Sequence, residues 1–218
     1  MSAFQGLLSA IHEYRDWGYN ALTFSFLCAV VITVSLQLPG AWAQLRSIWV
    51  AKSTRGVDSL LPISFFGYFL ASFLYGIDSG SGALLFNPVV LGPCALLIAC
   101  RLWWKRGFTV GEWSGLALWL LAIVVDAVLQ WKAYFYVGAS IVLLIGPLKQ
   151  IKTMKEKATS EGLNEKFPLY SGIACVVWVF YGLALRDPFI SSLSILYGFL
   201  YWYMFRLTIR LKTVLSEI

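Results

Sequence analysis

The chain has 218 residues, 59% hydrophobic and only 13% charged, with a formal net charge of +6 and a mean hydropathy of +0.74. A soluble domain of this length needs far more charged surface, which argues against a soluble enzyme or nucleic-acid-binding module and assigns the basic excess to membrane-flanking loops. Long apolar stretches recur along the chain, each near the ~20 residues a bilayer-spanning helix needs. The ~10-residue alternating segments of an outer-membrane barrel are absent. The expected fold class is all-α and polytopic.

The N-terminal residues 1–20 carry Phe4, Leu7, Leu8, Ile11, Tyr14 and Trp17 at helical spacing, which predicts a short amphipathic helix on the membrane surface. No basic segment followed by a short apolar core precedes it, so no cleavable signal peptide is expected. Spans are expected at 21–50, 59–77, 83–104, 112–132, 134–154, 167–186 and 188–211. The first is longer than a bilayer requires, and Pro39 predicts a kink within it. "DSGSG" at 78–82 marks a turn, and "KRG" at 105–107 ends the third span. Pro88 and Pro93 in "NPVVLGP" are expected to break that span. Trp103, Trp104, Trp113 and Trp131 fall at expected span ends and read as interfacial anchors.

With seven spans, the 1–2, 3–4 and 5–6 loops and the C-terminus share one side. That side carries 14 Lys and Arg residues, and the other carries only Arg15, Lys132 and Arg186. The positive-inside rule then places the N-terminus outside and the C-terminus in the cytoplasm, with the cell membrane as the expected location. The 155–166 loop should be cytoplasmic, and a cysteine at Ser160 suggests itself as a reporter of that side.

The chain also repeats itself. Gly56 and Gly162, Pro62 and Pro168, Ser72 and Trp178, Tyr75 and Tyr181, and Gly76 and Gly182 are each 106 residues apart, and Pro39 and Pro147 are 108 apart. This predicts an N-terminal interfacial segment (1–20), a first three-helix repeat (21–106), a linker helix (107–133) and a second three-helix repeat with a cytoplasmic C-terminus (134–218). An odd separator makes the two repeats parallel, with a path between them as the place for a substrate.

Catalysis is the weaker class. The single histidine, His12, leaves no Ser-His-Asp set and no histidine-based metal site. No paired carboxylates, Walker sequence or dinucleotide fingerprint is present, so no cofactor and no metal are expected. Cys28, Cys94, Cys100 and Cys175 lie in apolar segments without CxxC spacing and read as small buried hydrophobes. Asp126 is the one carboxylate well inside an apolar run. It falls on the linker helix, away from the repeat interface.

The three-plus-one-plus-three plan, the paired "KST" and "KAT" loops, the span prolines and "WVFYGLALRDPF" resemble the SWEET sugar transporters of the PQ-loop superfamily over about residues 30 to 210. The resemblance implies a facilitative sugar uniporter working by alternating access. It implies a substrate pocket at Ser72, Asn87, Trp178 and Ser194, where Ser194 stands in place of a second asparagine. It further implies an extracellular gate at Tyr75, Tyr181 and Asp187, and hinge prolines at Pro39, Pro62, Pro147 and Pro168. The Pro-Gln pair itself is absent, because Gly40 follows Pro39 and Leu148 follows Pro147. Trp178, Tyr181 and Leu185 share a helix face, as do Ser72, Tyr75 and Gly76. Ser194, Tyr197 and Tyr201 add hydroxyls from the last span. An indole beside few polar groups suits one sugar ring, so a monosaccharide is expected. Expected partners are a small sugar and the lipid bilayer, with no nucleic acid; a homo-oligomer stays open. Two other readings also stay open: a carrier of an amino acid or other small polar metabolite, including a proton-coupled one, and a non-transporting membrane receptor or accessory protein.

Overall fold

Nine α-helical segments and one π-turn follow one another in the computed structural model, which describes residues 21–51, 54, 56–129 and 132–216. The expected surface helix over 1–20, with Phe4 to Trp17, and the anchor Trp131 lie outside the described residues. The helices are α1 (Ala21–Ile32), α2 (Leu38–Val50), α3 (Leu60–Ser79), α4 (Gly82–Arg106), α5 (Val110–Leu129), α6 (Lys132–Leu143), α7 (Ile145–Lys157), α8 (Lys166–Leu185) and α9 (Pro188–Ser216). The described residues contain no strand. Among the described residues, five stretches are long and apolar enough to cross a membrane: 21–50, 60–79, 82–106, 133–157 and 166–185. Large apolar side chains such as Phe24, Leu118, Val124, Phe180 and Phe199 are exposed along the helices. A water-soluble monomer rarely shows so much apolar surface, and lipid covers it without cost. The fold is that of a polytopic helical membrane protein.

Each expected proline break meets a different outcome. Between α1 and α2 the chain passes through a π-turn, Thr33–Gln37, and Pro39 stands at the start of α2, so the helical irregularity falls just before it. The corresponding span is interrupted at Leu144, between α6 and α7, ahead of Pro147. By contrast, Pro88 and Pro93 do not break the third span: α4 runs unbroken through both. Pro88 deprives the Leu84 carbonyl of its intrahelical donor, and the Ser72 hydroxyl of α3 donates to that same carbonyl at 3.4 Å. Pro62 and Pro168 are each the third residue of their helices. A first-turn N–H has no intrahelical acceptor, so these two prolines free no carbonyl and start helices instead of bending them.

Packing places α1 and α2 against α8, and α3 against α6 and α7. Other close pairs include α3 with α4, α8 with α9, α2 with α4, α3 with α5, and α7 with α9. Positions 106 apart make the same local contacts. The Val57 N–H donates to Thr54 O at 3.0 Å, and Leu163 N–H to Ser160 O at 2.9 Å. Asp58 Oδ1 accepts from Leu60 N at 2.9 Å, and Asn164 Oδ1 from Lys166 N at 3.0 Å. At the opposite end, Gly76 is packed against Leu84 and Gly182 against Ile190 and Ser191. A Cβ at Gly56 would stand 2.7 Å from the Glu161 nitrogen, so only glycine lets these two loops meet backbone to backbone.

Helix α5 docks on α3 through one notch. The Trp119 indole fills the space above Gly67, where a Cβ would lie 2.1 Å from the ring. At its start Glu112 is buried and accepts from Arg106 Nη2 at 2.7 Å, and the same guanidinium donates to Ser59 Oγ at 2.7 Å. Gly67→Ala should therefore destabilise the fold by about 1–3 kcal/mol, the usual cost of overpacking. A lowered melting temperature in detergent, partly restored by adding Trp119→Ala, is the expected result. A Gly67→Ala protein as stable as the parent would show that α5 is not seated through this notch.

Among the cysteines, Cys94 and Cys175 are buried and Cys28 is partly so, all without a disulfide. Cys100 departs from the expected burial, because it lies on the outward face of α4 and is exposed. Trp103, Trp104 and Trp113 are exposed, as belt anchors must be. The Arg101 guanidinium lies 4.5 Å above the Trp49 ring, a cation–π contact at the same level of the bundle.

Candidate functional site

A cavity of about 110 Å³ runs between the helices. Its walls come from α2, α3, α4, α6, α8 and α9, together with the last residue of the π-turn, Gln37, and Val57 of the loop before α3. Aromatic rings dominate it: Phe65, Tyr68, Phe69, Tyr136, Phe167, Trp178, Tyr197 and Tyr201. The polar lining consists of hydroxyls and amides, with no Asp, Glu, Lys, Arg or His among the described residues that form it.

Of the four residues expected to bind substrate, three meet here. Trp178 presents its indole from α8 and is braced edge-to-face by Tyr181 at 5.5 Å. Asn87 reaches in from α4 and Ser194 from α9. Ser72 is not part of the lining. It is 2% exposed and its hydroxyl is directed to the Leu84 carbonyl, between α3 and α4. The packing of Gly76 and Gly182 keeps the 106-residue offset into the following helices, so the repeat partner of Asn87 is Leu193, next to Ser194. Both line the cavity.

The expected gate residues gather at one end, beside the lining residues Trp178, Tyr136 and Ile190. Tyr181 is fully buried and shares a hydrogen bond with Ser81, which lies between α3 and α4. Tyr75 stacks on Tyr136 at 4.7 Å with an interplanar angle of 14°. Asp187 stands just before the start of α9. Its carboxylate caps that helix by accepting from the Phe189 and Ile190 N–H groups at 2.9 and 3.2 Å.

The other end holds two glutamines that the sequence reading passed over. Gln44 of α2 donates to the Gly162 carbonyl at 2.9 Å and accepts from the Asn164 N–H at 2.8 Å. Gln150 of α7 donates to the Gly56 carbonyl at 2.6 Å and accepts from the Asp58 N–H at 2.8 Å. Gln44 and Gln150 are 106 residues apart, and so are their targets. Each side chain thus reads the loop of the opposite half as a short strand would, filling one donor and one acceptor. The repeat offset is the signal that could have found them, since both are glutamines at matched positions.

Pro62 lines the cavity, and Pro147 and Pro168 are buried close by, whereas Pro39 is exposed on the outer face of α2. Asp126 is buried on α5 and does not reach the cavity. The Tyr201 hydroxyl is buried without a hydrogen-bond partner among the described residues, a polar atom at the cavity wall with unused capacity.

Residues 133–209 match the protein family described as "Sugar efflux transporter for intercellular exchange". The resemblance to the SWEET family holds. This SWEET match covers about a third of the chain, the part that forms α6 to α9 and supplies Trp178 and Ser194. The family is one of transporters, not of enzymes. No curated protein matches the chain.

Proposed function

We propose that the protein is a facilitative transporter of a small sugar, built as two parallel three-helix repeats, 21–106 and 134–218, around the linker helix 107–133. The observation that carries the reading is the chemistry of the cavity: a wall of aromatic rings with amides and hydroxyls and no charged side chain. A neutral polyhydroxylated ring is matched by such a lining. The ionised groups of an amino acid would be stripped of water with no counter-charge, a far larger penalty. The paired helix contacts support the repeat arrangement, because α3 with α6–α7 on one side mirrors α8 with α1–α2 on the other. The small cavity volume and the position of the indole favour a monosaccharide over a disaccharide. Alternating access is supported by the two covered ends, each joined by contacts between the halves: Tyr181–Ser81 at the end read as extracellular, and the two glutamines at the end read as cytoplasmic.

The test is counterflow of labelled monosaccharides into proteoliposomes holding the purified protein. Downhill exchange that ignores an imposed proton gradient is expected, since no carboxylate lines the cavity. Uphill accumulation abolished by Asp126→Asn in a folded protein would favour a proton-coupled carrier instead. Orientation is checked in intact cells with an impermeant thiol reagent. Ser160 does not serve as the reporter, being 2% exposed, so its silence would reflect burial. Lys157→Cys stands on an exposed residue and should stay unlabelled from outside, while Asp78→Cys at the other end should react. The reverse pattern would invert the topology.

A further inference from the structure

The sugar reading leaves an imbalance in the cavity. Its second repeat offers Leu193 where the first offers Asn87, so a single asparagine faces the substrate. The structure supplies another amide from an unexpected place. Gln37, the last residue of the π-turn, lines the cavity beside Asn87. Its Oε1 accepts from Asn87 Nδ2 at 2.9 Å and stands 3.1 Å from Thr33 Oγ1. Asn87 Nδ2 also donates to Thr33 Oγ1 at 3.0 Å, and Thr33 donates to the Ala29 carbonyl at 2.7 Å.

This network settles what the two amides have left to give. One amide donates to the other's acceptor, which leaves one carbonyl oxygen and one NH₂ group uncommitted, whichever way round the pair is drawn. An acceptor next to a donor is the complement of neighbouring hydroxyls, each of which can both give and take a hydrogen bond. The π-turn is the local cause. Its extra residue per turn rotates Gln37 relative to a regular helix, and such turns concentrate at functional sites. At the repeat-equivalent position, 106 residues on, Leu143 lines the cavity instead.

We propose that Gln37 is a substrate-contacting, specificity-determining residue, and that Gln37 and Asn87 together read two adjacent hydroxyls on one edge of the sugar while the Leu143–Leu193 side contacts its apolar part. The proposal rests on the cavity being the transport pocket. It makes the pocket one-sided, so the sugar binds in a single orientation despite the two-fold plan of the chain.

The test is counterflow of glucose and of its single-deoxy analogues through the parent protein, Gln37→Leu and Gln37→Met. Leucine is already present at the equivalent position, and methionine keeps the unbranched length. The parent should transport at least one deoxy analogue about tenfold less well than glucose. Both variants should raise the KM for glucose about tenfold and lose discrimination against that same analogue, since the hydroxyl no longer has its partner. Variants that transport glucose and keep the parent's full discrimination overturn the role of Gln37 and leave the sugar reading standing. A parent that moves no monosaccharide overturns the sugar reading, and the proposal falls with it. If both variants fail to fold, Gln37 is a structural member of the α1–α4 joint, and the proposal is overturned on that ground.

Discussion

Trp178→Ala is expected to lower monosaccharide counterflow more than tenfold in a protein that still folds. The indole is the largest ring on the α8 wall of the cavity, and under the proposed function its face is the surface against which the apolar side of a sugar ring would pack. A loss of about 1.4 kcal/mol in binding suffices for a tenfold change. Trp178 has a second task, because it packs edge-to-face on Tyr181, the buried residue that joins the halves through Ser81. Truncation therefore removes the stacking face and loosens that end together. Trp178→Phe separates the two effects: it keeps a ring against Tyr181 with a smaller face toward substrate and should retain more transport than Trp178→Ala. Trp178→Ser should open room for a second ring and shift preference toward sucrose. Asn87→Ala should cut transport as well, and it leaves Gln37 and Thr33 short of a donor. Well-folded Trp178→Ala and Asn87→Ala proteins with unchanged sugar transport would return Trp178 to a packing role and remove the pocket assignment.

The second large effect is expected at the opposite end. Gln44→Leu or Gln150→Leu strips two hydrogen bonds from the backbone of the facing loop. At the Gln44 contact the orphaned groups are Gly162 O and Asn164 N, and at the Gln150 contact Gly56 O and Asp58 N. A buried backbone group without a partner costs about 1–3 kcal/mol, so each substitution should disfavour the closed arrangement by about 2–6 kcal/mol. Opening returns those groups to water, and the equilibrium should shift toward the state open at this end by tenfold or more. Val57 is 3% exposed and lines the cavity beside these contacts, so Val57→Cys is the reporter. Its labelling by a small thiol reagent, followed by peptide mass spectrometry, should quicken at least tenfold in either glutamine variant. It should quicken further in the double variant. Equal labelling rates with and without the glutamines would mean that other contacts hold this end shut.

Much of this architecture is written in the chain as a one-dimensional pattern. Apolar runs near bilayer length need no tertiary context, because every backbone group of a span must be satisfied within its own helix. The helix boundaries at 60–79, 82–106 and 166–185 accordingly fall within a few residues of expectation. The 106-residue offset was equally plain, since it compares the sequence with itself. Trp178, Asn87 and Ser194 could be named in advance through the family resemblance, and the fold brings the three to one cavity.

What required the tertiary structure is every side chain whose partner is distant in sequence or set by irregular backbone. Ser72 looks like a pocket residue by its spacing from Tyr75 and Gly76, yet its hydroxyl is taken by the carbonyl that Pro88 leaves without a donor. Pro88 itself looks like a helix breaker until that compensation is seen. Gln44 and Gln150 carry no local sign of the loops they hold, 118 and 94 residues away from the carbonyls they reach. Gln37 reaches Asn87, 50 residues on, from a π-turn that regular periodicity does not anticipate. Ser160 sits in a polar stretch that reads as exposed, and it is buried because the two loops close on each other at Gly56. Hydropathy fixes which segments enter the bilayer because lipid acts on each residue separately, whereas a hydrogen bond across the bundle depends on two positions at once and exists only when the helices have packed.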